Sequence, residues 1–261
     1  MPADQVLLLV VAGIGAGLVG SIAGLASLVS YPVLLSTGLA AVPANVTNTA
    51  ALIWSGVGAV LGSRPELTGQ GRRLARLLPL GMLGGTAGAF LVVLTPSSLF
   101  RLIVPWLIAF AAAVIVIPGL RRRPRPRPAA RVVAPLPVAP GPDRRALAPA
   151  VGTISIYSGY FGAAGGVIML ATLLAATDES LARANATKNA IAGAANLAAT
   201  VVFAAYGVVH WLAAIPLAFG FLVGSRIGPV VVRRLPARPL RLAIGVAGFG
   251  LAVSLAYQAY R

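Results

Sequence analysis

Eight apolar stretches follow one another along the chain, at about 5–29, 46–62, 75–95, 99–118, 148–174, 186–206, 211–231 and 239–259. About 20 helical residues cross the ~30 Å hydrocarbon layer of a bilayer. Backbone inside that layer must satisfy its own hydrogen bonds, which a helix does. The pattern predicts an all-α integral membrane protein with about eight transmembrane helices. Composition agrees, because 58% of the 261 residues are hydrophobic and only 10% are charged, too few to cover a surface in water. The first stretch opens with Asp4 and no basic residue, and it runs past Ser21 without an Ala-x-Ala cleavage site, so it is expected to be a retained span.

A net charge of +16 would suggest nucleic acid in a soluble domain. Here the arginines crowd into connectors between apolar stretches, where they act as topology signals. The most basic connector, 121–146, is rich in Pro and Arg and has no aromatic residue, so it reads as a solvated linker and no nucleic-acid partner is expected. The absence of cysteine removes disulfides and thiolate chemistry. With a single histidine and no paired carboxylates, metal-centred or acid/base catalysis has little material, so neither an enzyme nor a cofactor is expected.

The chain also repeats. At a constant offset of 140, Asn45 falls on Asn185, Thr47 on Thr187, Ala50 on Ala190, Gly84 on Gly224, Gly88 on Gly228, Pro96 on Pro236 and Arg101 on Arg241. Residues 1–120 and 147–261 are therefore read as two four-span repeats joined by the linker. An even number of spans per repeat implies an axis along the membrane normal, with the linker and both termini on one side. The linker arginines and Arg64, Arg72, Arg73 and Arg76 place that side in the cytoplasm. Arg233, Arg234, Arg238 and Arg241 would then fall outside, against the rule. Gly13/Gly17, Gly20/Gly24, Gly81/Gly85, Gly84/Gly88, Gly220/Gly224 and Gly224/Gly228 form small-xxx-small pairs that let helices approach closely.

In each half an irregular apolar segment precedes the repeated polar phrase. The first contains Gly24, Ser27, Tyr31 and Pro32; the second contains Gly162, Gly165 and Gly166. Glycines and proline at such places mark broken or re-entrant helices, tolerated at membrane depth only where protein or a wet cavity receives the exposed backbone. These residues are expected to line a cavity or act as hinges. The phrases themselves, Asn45, Thr47, Asn48 and Thr49 and then Asn185, Thr187, Lys188 and Asn189, are the expected substrate-binding groups. Asn45 and Asn185 are placed as helix N-caps whose first-turn amides would attract an anion, with simple capping as the competing role. Lys188, the only lysine, would cost about 2.5–3.5 kcal/mol in a span unless it reached water or a partner. Asn196 is expected to cross-link helices, and His210 beside Trp211 to sit in an interfacial belt. Asp178 and Glu179 are read as solvated, with a gate as the sharper alternative.

The run Gly159-Tyr160-Phe161-Gly162-Ala163-Ala164-Gly165-Gly166, followed by Ala184-Asn185-Ala186-Thr187-Lys188-Asn189, resembles the signature of the sulfite exporter TauE/SafE family, and the likeness continues through Gly220–Gly228 and Arg233-Arg234-Leu235-Pro236. In the first half, Ala26-Ser27-Leu28 stands before Pro32 where the family usually has a glycine-rich turn. The resemblance implies a multi-pass permease of the bacterial inner membrane for sulfur oxyanions or small organic anions. The expected function is a secondary transporter working by alternating access. Its partners would be a small anionic substrate, the lipid bilayer, a coupling ion (proton or sodium) and a second copy of the chain. A non-transporting membrane scaffold is the alternative.

Overall fold

The computed structural model describes residues 1–121, 147–162, 165–177 and 179–232, together with positions 253 and 257. All secondary structure among these residues is helical: α1 (Ala3–Ala23), α2 (Ala26–Ser36), α3 (Ala41–Gly62), α4 (Arg64–Leu67), α5 (Gly71–Leu94), α6 (Ser97–Arg121), α7 (Leu147–Tyr160), α8 (Gly165–Ala176), α9 (Leu181–Ala205) and α10 (Trp211–Val232). Ala3–Ala23, Gly71–Leu94, Leu181–Ala205 and Trp211–Val230 are long and apolar enough to cross a membrane. The expected linker after Arg121 and the eighth apolar stretch, apart from positions 253 and 257, lie outside the described residues.

The first and fifth apolar stretches are not single spans. α1 stops at Gly24, whose φ of 76° is left-handed and whose N–H returns to Gly20 O at 2.7 Å, the way glycine commonly ends a helix. α2 follows after one residue. The fifth stretch stops at Tyr160, turns through Gly162 (φ 75°) and resumes as α8. Breaks were expected here, but in the first half the break is Gly24–Leu25, and Pro32 lies inside α2. With 11 and 12 residues, α2 and α8 reach only about 16–18 Å, roughly half the hydrocarbon layer.

Glycine contacts fix the helix directions. Gly13 meets Gly220 and Gly228 meets Ser21, so α1 and α10 run parallel; Gly58 meets Leu222 and Gly62 meets Arg226, which adds α3 to that group. Likewise Gly84 packs on Gly152 and Gly88 on Ile156, while Gly81 packs on Ile191 and Gly85 on Ala195, making α5, α7 and α9 a second parallel trio. A Cβ on Gly13 would fall 2.5 Å from Leu217 O, an approach only glycine allows.

The two trios are antiparallel. Asn45 near the start of α3 donates to Tyr160 O at the end of α7, and Asn185 near the start of α9 donates to Ser21 O near the end of α1. Short connectors return α2 to the start of α3 and α8 to the start of α9, so each broken pair enters and comes back. The expectation of an axis along the membrane normal is overturned: α3 and α9, which match in sequence, point in opposite directions. Each of the first and fifth apolar stretches holds a helix and a shorter one that turns back, not a single crossing.

Arg64, Arg72, Arg73, Arg76, Arg183 and Arg226 gather at one end of the molecule, where α3 and α10 finish and α5, α7 and α9 begin. α10 ends there too, at Val232, one residue before Arg233. The outer faces carry Leu83, Leu94, Trp106, Leu212, Ile215 and Phe219, each at least 60% exposed. Apolar exposure on this scale belongs in lipid.

Candidate functional site

The two breaks lie against each other at the centre. A Cβ on Gly24 would fall 2.5 Å from the carbonyl carbon of Gly166, and one on Gly166 would fall 2.6 Å from Gly24 Cα. Beside them α3 crosses α9 at Gly56 and Gly193, where a Cβ added to Gly56 would be 2.5 Å from Gly193 Cα. Phe161, in the second break, is held edge-on by Tyr31 of α2 at 5.4 Å and by Phe100 of α6 at 6.2 Å between centroids.

A partly open cavity of about 70 Å³ lies at this crossing. From the first half it is lined by Gly20, Gly24, Ala26, Ser27, Leu52, Ser55 and Gly56; from the second, by Ser158, Gly162, Gly166, Lys188, Asn189, Ala192, Gly193 and Asn196. There is room for a few waters or one small polyatomic ion. Gly24, Ser27, Gly162, Gly166, Lys188 and Asn189 are thus sequence-stretch residues that the fold brings together. Ser55, Ser158 and Asn196 complete the polar lining.

Two helices start at the cavity. The cap position of α2, Leu25, supplies no side-chain acceptor, so the first amides at Ala26 and Ser27 have no side-chain partner; α8 starts with Gly165 and Gly166. Each helix start carries roughly half a positive charge, and the end of α1 roughly half a negative one. Lys188, only 1% exposed, donates to Gly20 O at 3.2 Å and Ser21 O at 3.5 Å in the last turn of α1. Its ammonium therefore caps a helix end, which stabilises both the charge and the orphan carbonyls. The end of α7, at Tyr160 between the lining residues Ser158 and Gly162, brings a further half negative charge, so these contributions leave the cavity about +1, a setting for an anion.

The repeated polar phrases bind the fold in ways their sequence position did not reveal. Asn45 and Asn185 are not N-caps: each sits one turn inside its helix, and α3 and α9 are capped by Ala40 and Ser180. Pro43 fits the first turn of α3, where its missing N–H is not needed, and Ser180 Oγ accepts from the Arg183 N–H at 3.3 Å. Both signals stand in the sequence. Each asparagine instead closes the broken helix of the other half, Asn45 on Tyr160 O at 2.9 Å and Asn185 on Ser21 O at 2.8 Å.

Thr47 and Thr187 are fully buried and tie down opposite loops. The His210 N–H donates to Thr47 Oγ1 at 3.1 Å, and Thr187 donates to Gln70 Oε1 at 2.8 Å. Gln70 and His210 are themselves 140 residues apart, so both members of the bond repeat. Thr49 bonds to Asn45 O within its own helix. Asn48 accepts from Ser30 at 2.6 Å and donates to Ser27 Oγ at 3.1 Å, orienting a cavity hydroxyl without lining the cavity itself. Tyr31 and Pro32 support α2, and Gly165 lies under Ser158, all outside the lining. Glu179 pairs with Arg73 at 2.7 Å at the arginine end, and Asp178 lies outside the described residues.

Comparison with known proteins gives a consistent result. The family model described as Sulfite exporter TauE/SafE matches residues 9–255. The chain is 24% identical over 248 residues to the probable membrane transporter protein YfcA of Escherichia coli (strain K12), covering 94% of this chain and 87% of that one. It is 23% identical over 256 residues to a probable membrane transporter protein of Haemophilus influenzae, covering 98% and 96%. No solved structure matches.

Proposed function

The chain belongs to the sulfite exporter TauE/SafE family, a family of membrane transporters, and on that premise we propose that it moves sulfite or a comparably small sulfur oxyanion or organic acid across the bacterial inner membrane. The observation that carries this reading is the small, partly open cavity at the crossing of the two breaks, where two helix starts and Lys188 converge. Anion oxygens would take the amides of Ala26, Ser27 and Gly166 and the hydroxyls of Ser27 and Ser158, and Lys188 would offset the charge.

The directions of the helices support alternating access. With α3 and α9 antiparallel and the breaks crossing, the halves form inverted repeats about an axis in the membrane plane. Rocking one broken pair against the other opens the same site to either side. The arginine end is then cytoplasmic, which removes the conflict that a parallel arrangement creates at the end of α10.

Among the described residues, the lining carries a lysine and no carboxylate. An anion leaving a cell gains about 2.3 kcal/mol per charge for each 100 mV of inside-negative potential, enough to drive export without a coupling ion. The proposed direction is outward. Purified protein in proteoliposomes should exchange radiolabelled sulfite, with outward flux rising under an imposed inside-negative potential, and toluenesulfonate should not compete in so small a cavity. Absence of flux for sulfite, thiosulfate, small sulfonates and small carboxylates alike would favour a scaffold over a transporter.

A further inference from the structure

At the arginine end, the first turns of α5 and α7 flank an open cleft of about 440 Å³, separate from the central cavity. It is lined by Arg72, Arg73 and Arg76, then Leu77 and Leu80 further along α5, and by Leu147 at the start of α7. The order along α5 sets guanidinium groups toward the end of the molecule and leucines toward its interior. Arg72 and Arg76 are one turn apart on the same face, exposed, and in no ion pair among the described residues. Like charges at that spacing repel. Glu179 is taken up by Arg73 and lies near Arg183, and Arg73 Nη2 is buried with no hydrogen-bond acceptor. The segment leading into Leu147 brings no relief, since 121–146 holds eight arginines against Asp143 alone.

We propose that this cleft binds the phosphate headgroup of an anionic phospholipid, with an acyl chain running along Leu77 and Leu80. The charge calls for an anion, the polar-to-apolar gradient calls for one with a hydrocarbon tail, and a helix bundle with lipid-facing sides meets such molecules at its cytoplasmic boundary. A free oxyanion would satisfy the arginines but leave the leucine wall without a partner.

Native mass spectrometry of the full chain released from detergent tests the assignment, with phosphatidylglycerol, phosphatidylcholine and inorganic phosphate as separate probes. Wild-type protein should retain phosphatidylglycerol in preference to phosphatidylcholine. Arg72→Gln combined with Arg76→Gln, both at exposed positions, should weaken phosphatidylglycerol retention roughly 30-fold, the effect of two interfacial charges. Lys188→Gln should leave retention unchanged, which separates this site from the transport reading. Equal retention of both lipids, or retention indifferent to the double substitution, would overturn the proposal. So would displacement of phosphatidylglycerol by millimolar inorganic phosphate, which would make the cleft a site for soluble anions.

Discussion

Asn48 and Lys188 hold matching places in α3 and α9, and they serve different ends. Asn48 stays within its own half, bonded to Ser27 and Ser30 of α2. Lys188 reaches across the molecule to the last turn of α1. The neighbouring pairs do not diverge: Asn45 and Asn185 both cross to the other half's broken helix, and Thr47 and Thr187 both cross to a loop of the other half. Shape has been kept in both copies while charge has been given to one. Under the proposed function, an anion in the cavity would lean toward α9.

The comparison breaks most sharply at the shared centre. Gly24→Val places a branched side chain at positive φ and at 2.5 Å from Gly166 backbone. The expected outcome is a loss of roughly 3 kcal/mol or more, seen as failure to recover monodisperse protein from detergent. Gly38→Val, also at positive φ but with open space around it, should be far milder; similar damage at both would mean that the crossing of the breaks is not the weak point.

A smaller effect distinguishes the two crossing asparagines. In Asn45→Ala, Tyr160 O loses its side-chain donor, whereas in Asn185→Ala, Ser21 O keeps Asn189 at 3.3 Å and Lys188 at 3.5 Å. Thermal unfolding in detergent should show about 1–3 kcal/mol lost in the first and distinctly less in the second. Equal losses would argue against the sharing of Ser21 O by three donors of α9. Smallest of all, Arg73→Gln removes a partly exposed ion pair with Glu179 and should change the midpoint little, by at most about 1 kcal/mol.

Much of this arrangement is legible in the sequence, and the illegible part has a clear cause. The constant offset picks out Asn45/Asn185, Thr47/Thr187 and the glycines, because equivalent positions make equivalent bonds. The glycines at 24 and 162 mark the breaks, since positive φ favours glycine. Direction is another matter. Hydropathy scores the stretch 148–174 the same whether it crosses once or enters and turns back, and superposing two halves by offset is blind to whether one is inverted. The arginines after Val232 were the one signal of inversion in the sequence, visible as a conflict with the parallel arrangement. Asn45 and Asn185 resemble caps in the sequence, but Pro43 and Ser180 mark the true helix starts one turn earlier.

The central claim is that a buried lysine, offset toward one half, holds the anion between two helix starts. Sulfite exchange in proteoliposomes by Lys188→Gln, beside wild type and Lys188→Arg at matched protein incorporation, tests it most directly. Loss of one charge-assisted hydrogen bond of about 1.5–3 kcal/mol predicts a drop of roughly 10- to 100-fold in apparent affinity for Lys188→Gln, with partial recovery in Lys188→Arg. Wild-type affinity and flux in a folded Lys188→Gln protein would contradict it.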